Sequence, residues 1–202
     1  GGSVLGLLKL PVIWAILPMM FVSYGPSACL RSLWIGPYLS EVYGVDARGI
    51  GIATLIMGAS MIAGTLGLGP LDRVLGTRKW VILTASAGGV AALLLMILWV
   101  DAGVWLTVAL LAAVGITSGT FPVIIAHGKA FFPPHMVGRG VTLLNLFGIG
   151  GAGLMQVWTG RLHAAAEGAG PVTAPYVTIL AFLAAMLAAG TLIYAFSRDS
   201  LD

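Results

Sequence analysis

An arginine inside an apolar run is the first residue of this chain that needs a chemical explanation. Arg31 falls in the outer part of the run 11–38, and a charge at the centre of a membrane helix costs about 2.5–3.5 kcal/mol even on a lenient insertion scale. Tyr24, Ser27, Arg31 and Trp34 recur at i, i+3, i+7 and i+10, a spacing that predicts one helix face. Such a face can line a polar cavity, where a guanidinium holds a carboxylate or phosphate by two parallel bonds. The plainer reading is an arginine that snorkels to the outer interface. Asn145 and Gln156 share one side of a later run, about three turns apart. They either face the same cavity or bond between helices.

The densest charged segment is Gly69-Pro70-Leu71-Asp72-Arg73-Val74-Leu75-Gly76-Thr77-Arg78-Lys79. An acid at one helix end and bases beyond it can pair with each other or with a neighbouring helix terminus. His127 and His135 can take up a proton near neutral pH, although histidines near helix ends are common. Met57 and Met61, one helical turn apart, can present two thioethers to Cu(I). Eight methionines make such a pair easy to obtain by chance. No zinc-type ligand cluster, phosphate-cradling glycine loop or catalytic triad is recognisable, so neither enzyme activity nor a cofactor is expected.

The elements that must position these residues are membrane helices. Of 202 residues, 59% are hydrophobic and 8% charged, and the mean hydropathy is +1.03; a soluble domain carries roughly 25% charged residues. That balance excludes a water-soluble enzyme and a nucleic-acid binder, and the lone Cys29 excludes a disulfide within the chain. Six runs are long enough to span a bilayer: 11–38, 49–68, 80–100, 104–128, 140–162 and 175–197. Residues 1–10 are expected to be an N-terminal linker or cytoplasmic segment opening on a Gly1-Gly2-Ser3 scar, and 198–202 a cytoplasmic tail. No acid falls inside these six runs, which leaves no buried carboxylate for proton coupling.

Lys9, Arg73, Arg78, Lys79, Lys129, Arg139 and Arg198 fall on one side, and only Arg48 and Arg161 on the other. The positive-inside rule then puts both termini in the cytoplasm. Glu41, Asp46, Asp101 and Glu167 fall in the opposite loops, and Trp80, Trp99, Trp105 and Tyr176 at helix ends, where interfacial aromatics belong. Gly115 and Gly119 form a GxxxG packing face, and Phe121-Pro122 marks a kink. Composition suits a bacterial inner membrane.

The segment from Gly69 to Lys79 resembles the signature loop that follows the second helix of each six-helix half in the major facilitator superfamily of transporters. It departs from the usual spacing: two residues rather than one separate Arg73 from Gly76, and Gly69 precedes Asp72 by three. Phe131-Phe132-Pro133-Pro134-His135-Met136-Val137-Gly138-Arg139-Gly140 is similar to the family's Phe-Pro…Arg-Gly turn between the fourth and fifth helices of a half. The broken first run resembles the family's seventh helix. The resemblance covers nearly the whole chain and implies an all-α fold of six transmembrane helices in two inverted three-helix repeats, the C-terminal half of a transporter.

It further implies alternating access against a second six-helix half, with helices one, two, four and five lining the cavity and three and six facing lipid. Asp72, Arg73, Gly76, Arg78, Lys79 and Arg139 become gating residues. Arg31, Tyr24, Ser27, Asn145 and Gln156 become contacts for a small solute, an anion where Arg31 meets it. Met57 and Met61 resemble the MxxxM element of copper-importing members, without a His-x-x-x-Met companion. The competing expectation is a non-transporting membrane subunit, a scaffold or assembly factor, in which Arg31 and Asn145 pair with protein.

Overall fold

The computed structural model describes residues 4–201 and is helical throughout, with no strand among the described residues. Gly1-Gly2-Ser3 and Asp202 lie outside them. Six helical spans are long and apolar enough to cross a membrane: Ile13–Tyr43, Ala47–Leu75, Arg78–Leu98, Val104–Lys129, Pro134–Ala166 and Ala174–Tyr194. The segment expected as a linker holds a short helix, Val4–Leu7, and Leu7 is buried in the core.

Each turn between spans has a local cause. Asp46 Oδ1 accepts the Gly49 amide at 2.8 Å and caps the second span, and Thr77 Oγ1 accepts the Trp80 amide at 3.2 Å and caps the third. Gly76 ends the second span at φ +67°, a left-handed conformation that a side chain would strain. Several spans outrun the sequence expectation. The second continues to Leu75 rather than 68, so Asp72 and Arg73 are helical and only Gly76 and Thr77 turn. At 1.5 Å per residue this span is about 43 Å long, against a hydrocarbon core near 30 Å, so its charged last turns reach beyond the apolar zone. The first continues to Tyr43 and the second encloses Asp72, so two carboxylates, Glu41 and Asp72, lie on span ends after all.

Two spans are broken. The first is α-helical over Ile13–Ser23, bends at Tyr24 before Gly25-Pro26, and passes through a π-turn at Leu30–Trp34 before resuming at Ile35. There the Ile35 amide bonds the Leu30 carbonyl, five residues back. Pro37, which has no amide to offer the preceding turn, follows closely. The fourth span breaks at Ser118–Gly119, and Pro122, unable to bond the Ser118 carbonyl, explains the bend.

The first span packs on the fifth and sixth, the second on the fourth, and the third on the fourth and sixth. Exchanging spans one to three for four to six maps this pairing onto itself: first–fifth becomes fourth–second, first–sixth becomes fourth–third, and third–sixth is unchanged. Glycines set the close crossings. A Cβ on Gly64 would overlap the Ile116 backbone, and one on Gly119 the Gly64 backbone; one on Gly151 would overlap the Phe21 carbonyl. The GxxxG pair Gly115 and Gly119 is therefore the packing face between the fourth and second spans.

Because backbone cannot yield as a side chain can, Gly64→Leu is expected to cost more than the roughly 1–3 kcal/mol of ordinary overpacking. Gly67→Leu, with open space around its Cβ, serves as the control. Thermal unfolding in mild detergent should show a lowered midpoint for the first and an unchanged one for the second.

Candidate functional site

Two contiguous cavities of about 510 and 310 Å³ open on one face of the bundle and share Tyr24, Met61 and Ile149. Together they form a groove whose lining comes entirely from the first, second, fourth and fifth spans. The third and sixth spans pack behind.

Arg31 lies in the smaller cavity, exposed. The first span runs Ile13–Tyr43, so Arg31 sits about 4.5 Å beyond its midpoint and about 18 Å short of its outer end. This differs from the expectation of an arginine in the outer part of the span, because the helix extends further than its apolar run. The guanidinium lies against Gly58, where an added Cβ would come within 3.2 Å of Nε and 3.3 Å of Nη2. It has no hydrogen-bond or ion-pair partner among the described residues.

Beside it, Gln156 Nε2 donates to Ser32 Oγ at 3.1 Å, and Ser32 Oγ donates to the Ala28 carbonyl at 2.5 Å. Gln156 is thus in the groove. Tyr24 lies where the two cavities meet, its ring tilted against Phe121 at 5.5 Å. The remaining expected site residues are bonded within the protein, Ser27 while still lining the smaller cavity. Ser27 Oγ is buried and donates to the Val114 carbonyl at 3.0 Å, tying the first span to the fourth. Asn145 Nδ2 donates to the Val141 carbonyl of its own helix at 3.1 Å and lines neither cavity. Trp34 leaves the Arg31 face altogether, because the π-turn adds residues per turn and shifts the helical phase. Its Nε1 donates to Thr159 Oγ1 at 3.0 Å, and its ring stacks on His163 at 4.8 Å. Met57 is fully buried while Met61 lines the groove, so the two thioethers do not converge on one open site.

At one end of the bundle the charged turn forms a latch. Asp72, buried, pairs with Arg78 Nε at 3.0 Å, and Arg78 Nη1 also donates to the Ala126 carbonyl of the fourth span and the Ser200 carbonyl of the tail, both at 3.4 Å. Arg73 stays exposed at the edge of a separate cavity of about 380 Å³. Lys79 contributes its amide, Gly76 the left-handed turn, and Arg139 lies exposed beyond the fourth-to-fifth turn.

The tail was invisible to sequence reasoning. Asp199 Oδ1 accepts the Arg78 and Lys79 amides at 3.2 and 3.0 Å, and Thr77 Oγ1 donates to Oδ2, so a carboxylate caps the third span from outside. His127, expected as an ordinary helix-end histidine, is fully buried. Its Nε2 donates to the Arg198 carbonyl at 2.8 Å, which leaves Nδ1 to accept the Tyr194 hydroxyl at 2.6 Å. At the opposite end, Tyr176 is not an exposed interfacial anchor. It is buried, stacked on Tyr38 at 5.0 Å, and donates to Glu41 at 2.5 Å.

Comparison with protein-family models and with curated proteins finds no match.

Partial burial would raise the Asp199 carboxyl, but the Thr77 hydroxyl and the Lys79 and Arg78 amides outweigh it and hold it below its ordinary 3.8. A folded-state value depressed in this way stabilises the docked tail above the ordinary value, and that contribution is lost as pH falls through the depressed one. Asp199→Ala should therefore speed hydrogen exchange over residues 197–201 and the first turn of the third span at pH 7. The unaltered chain should reach that state only below pH 3.8, once intrinsic exchange is corrected for. Unchanged exchange in the variant would show that the carboxylate does not hold the tail.

Proposed function

We propose that this chain is one six-helix half of an alternating-access transporter of the major facilitator type, in which the groove forms one wall of the passage for a small solute. The observation that carries this reading is Arg31: an unpaired guanidinium near mid-span, in a groove open on one face. A charge that deep carries a penalty unless water, a ligand or a partner meets it. No acid within the described bundle pairs with it.

Three further features support the reading. The groove is lined by spans one, two, four and five, with three and six behind. The packing pairs are unchanged when spans one to three are exchanged for four to six, as two inverted three-helix repeats require. The Asp72–Arg78 pair sits at the turn expected to gate, with seven of the ten basic residues at that end. On the positive-inside rule this is the cytoplasmic end, as in a multi-pass protein of a bacterial inner membrane with both termini inside. The missing wall is then a second six-helix unit.

The competing reading, a non-transporting scaffold, draws on Ser27 and Asn145, whose side chains are bonded within the protein. Single cysteines separate the two. In a Cys29→Ala background, Ser32→Cys, Ile149→Cys and Gln156→Cys should react with a membrane-impermeant maleimide in vesicles, while a buried Val114→Cys stays protected. Protection of all three to the level of the buried control would sink the transport reading.

A further inference from the structure

The groove is chemically two-ended. At one end lie Arg31, Ser32 and Gln156; at the other, the larger cavity is walled by Tyr24, Phe121, Met61 and Ile149. Resting on the transport reading above, we propose that its ligand is an amphipathic organic monoanion, with a single carboxylate on Arg31 and an apolar or aromatic body along Tyr24 and Phe121.

The sign of the ligand follows from the lining. Arg31 is its one charged residue, and no carboxylate lines either cavity. A cation would meet an unbalanced guanidinium, and the ammonium of a zwitterion would find no acid. The amount of charge follows too. One guanidinium balances one carboxylate bidentately, whereas a dianion would bring an uncompensated charge to mid-span.

The headgroup has few additional donors to share. Ser32 has committed its proton to the Ala28 carbonyl, and its oxygen accepts from Gln156. What remain in that cavity besides the guanidinium are the second amide proton of Gln156 and the Tyr24 hydroxyl. That set suits one planar carboxylate.

The body is constrained by what its surroundings have already used. Thr65 and Ser118, the two hydroxyl residues of the larger cavity besides Tyr24, donate to their own helices at the Met61 and Gly115 carbonyls, 3.0 and 2.7 Å away. A sugar or polyol placed there would leave most of its hydroxyls without partners, each at the cost of desolvation. An alkyl chain or a ring meets a mostly apolar wall and the faces of Tyr24 and Phe121, which lie tilted to each other by 59°. The volume, about 510 Å³, falls within the usual range for organic ligands, roughly 300–1,000 Å³.

The test compares octanoate with its neutral isostere octanamide, and 3-phenylpropanoate with phenylalanine, for saturable binding to the full chain in lipid nanodiscs. Empty nanodiscs correct for partition into lipid. The acid should bind about tenfold or more tightly than the amide, and phenylpropanoate similarly more tightly than the zwitterion, since a hydrogen bond to a charged group is worth about that factor. Arg31→Gln should remove the preference for acid over amide, and Gly58→Leu, which fills the space against the guanidinium, should weaken both acids.

Equal binding of acid and amide, or an acid affinity unmoved by Arg31→Gln, overturns the proposal. If Arg31→Gln does not fold, the acid–amide comparison on the unaltered chain decides alone. A groove open to maleimide but without acid preference overturns the ligand class and leaves the transport reading standing. A groove closed to maleimide overturns both.

Discussion

Hydrocarbon offers a side chain no hydrogen bond, and that constraint organises most polar residues in the spans, the buried His163 Nε2 being left without a partner among the described residues. Thr54, Ser60, Thr65, Thr84, Thr117, Ser118, Thr142, Asn145, Thr178 and Thr191 each return a bond to a carbonyl three or four residues back on their own helix. Ser27 and Trp34 instead spend theirs on neighbouring helices. Against this nearly complete accounting, an unpaired guanidinium near the middle of a span is an exception. Its cost is of the order of 2.5–3.5 kcal/mol, about that of a cavity-forming core substitution. The bundle tolerates it where the first span bends and passes through a π-turn. Loosened helical geometry of that sort is often found at functional sites.

The spans were legible because hydropathy and length alone determine what can cross a bilayer, and Asp72 and Arg78 were legible because charges at a tight turn have few other partners. Phase was not. Tyr24, Ser27 and Arg31 do line one cavity, but the π-turn at Leu30–Trp34 breaks the 3.6-residue period and turns Trp34 away from them. Spacing placed Ser27 and Gln156 at the wall of the smaller cavity, but could not show that the Ser27 hydroxyl spends its proton on a neighbouring helix while Gln156 bonds Ser32. Asp199 escaped notice for a different reason: capping a helix from a tail more than a hundred residues away leaves no local pattern.

The groove and the latch are built on the same pair of helices. The second and fourth spans approach backbone to backbone at Gly64, Gly115 and Gly119, too closely for either to slide without displacing the other. Met61 and Phe121 of this pair line the groove, while Asp72 and Ala126, further along the same two spans, hold Arg78. A shift at the latch must therefore either be absorbed at the break over Ser118 and Gly119 or be passed to the groove wall. The break is itself pressed against Gly64, so the space for absorbing such a shift is small. Two arrangements of the latch would then correspond to two shapes of the groove, the kind of bistable packing that a switch between conformations requires.

An open groove in a membrane-spanning bundle also has to be covered by something. Lipid could cover the apolar flank made by Ile62, Leu66 and Ile149, which is as exposed as any lipid-facing surface. It could not cover Arg31 without placing acyl chains against an unpaired charge. The same face thus has an apolar part that any hydrocarbon can satisfy and a polar part that only water, an anion or a second protein wall can. On the transport reading proposed above, a second bundle of comparable length would cover both parts at once.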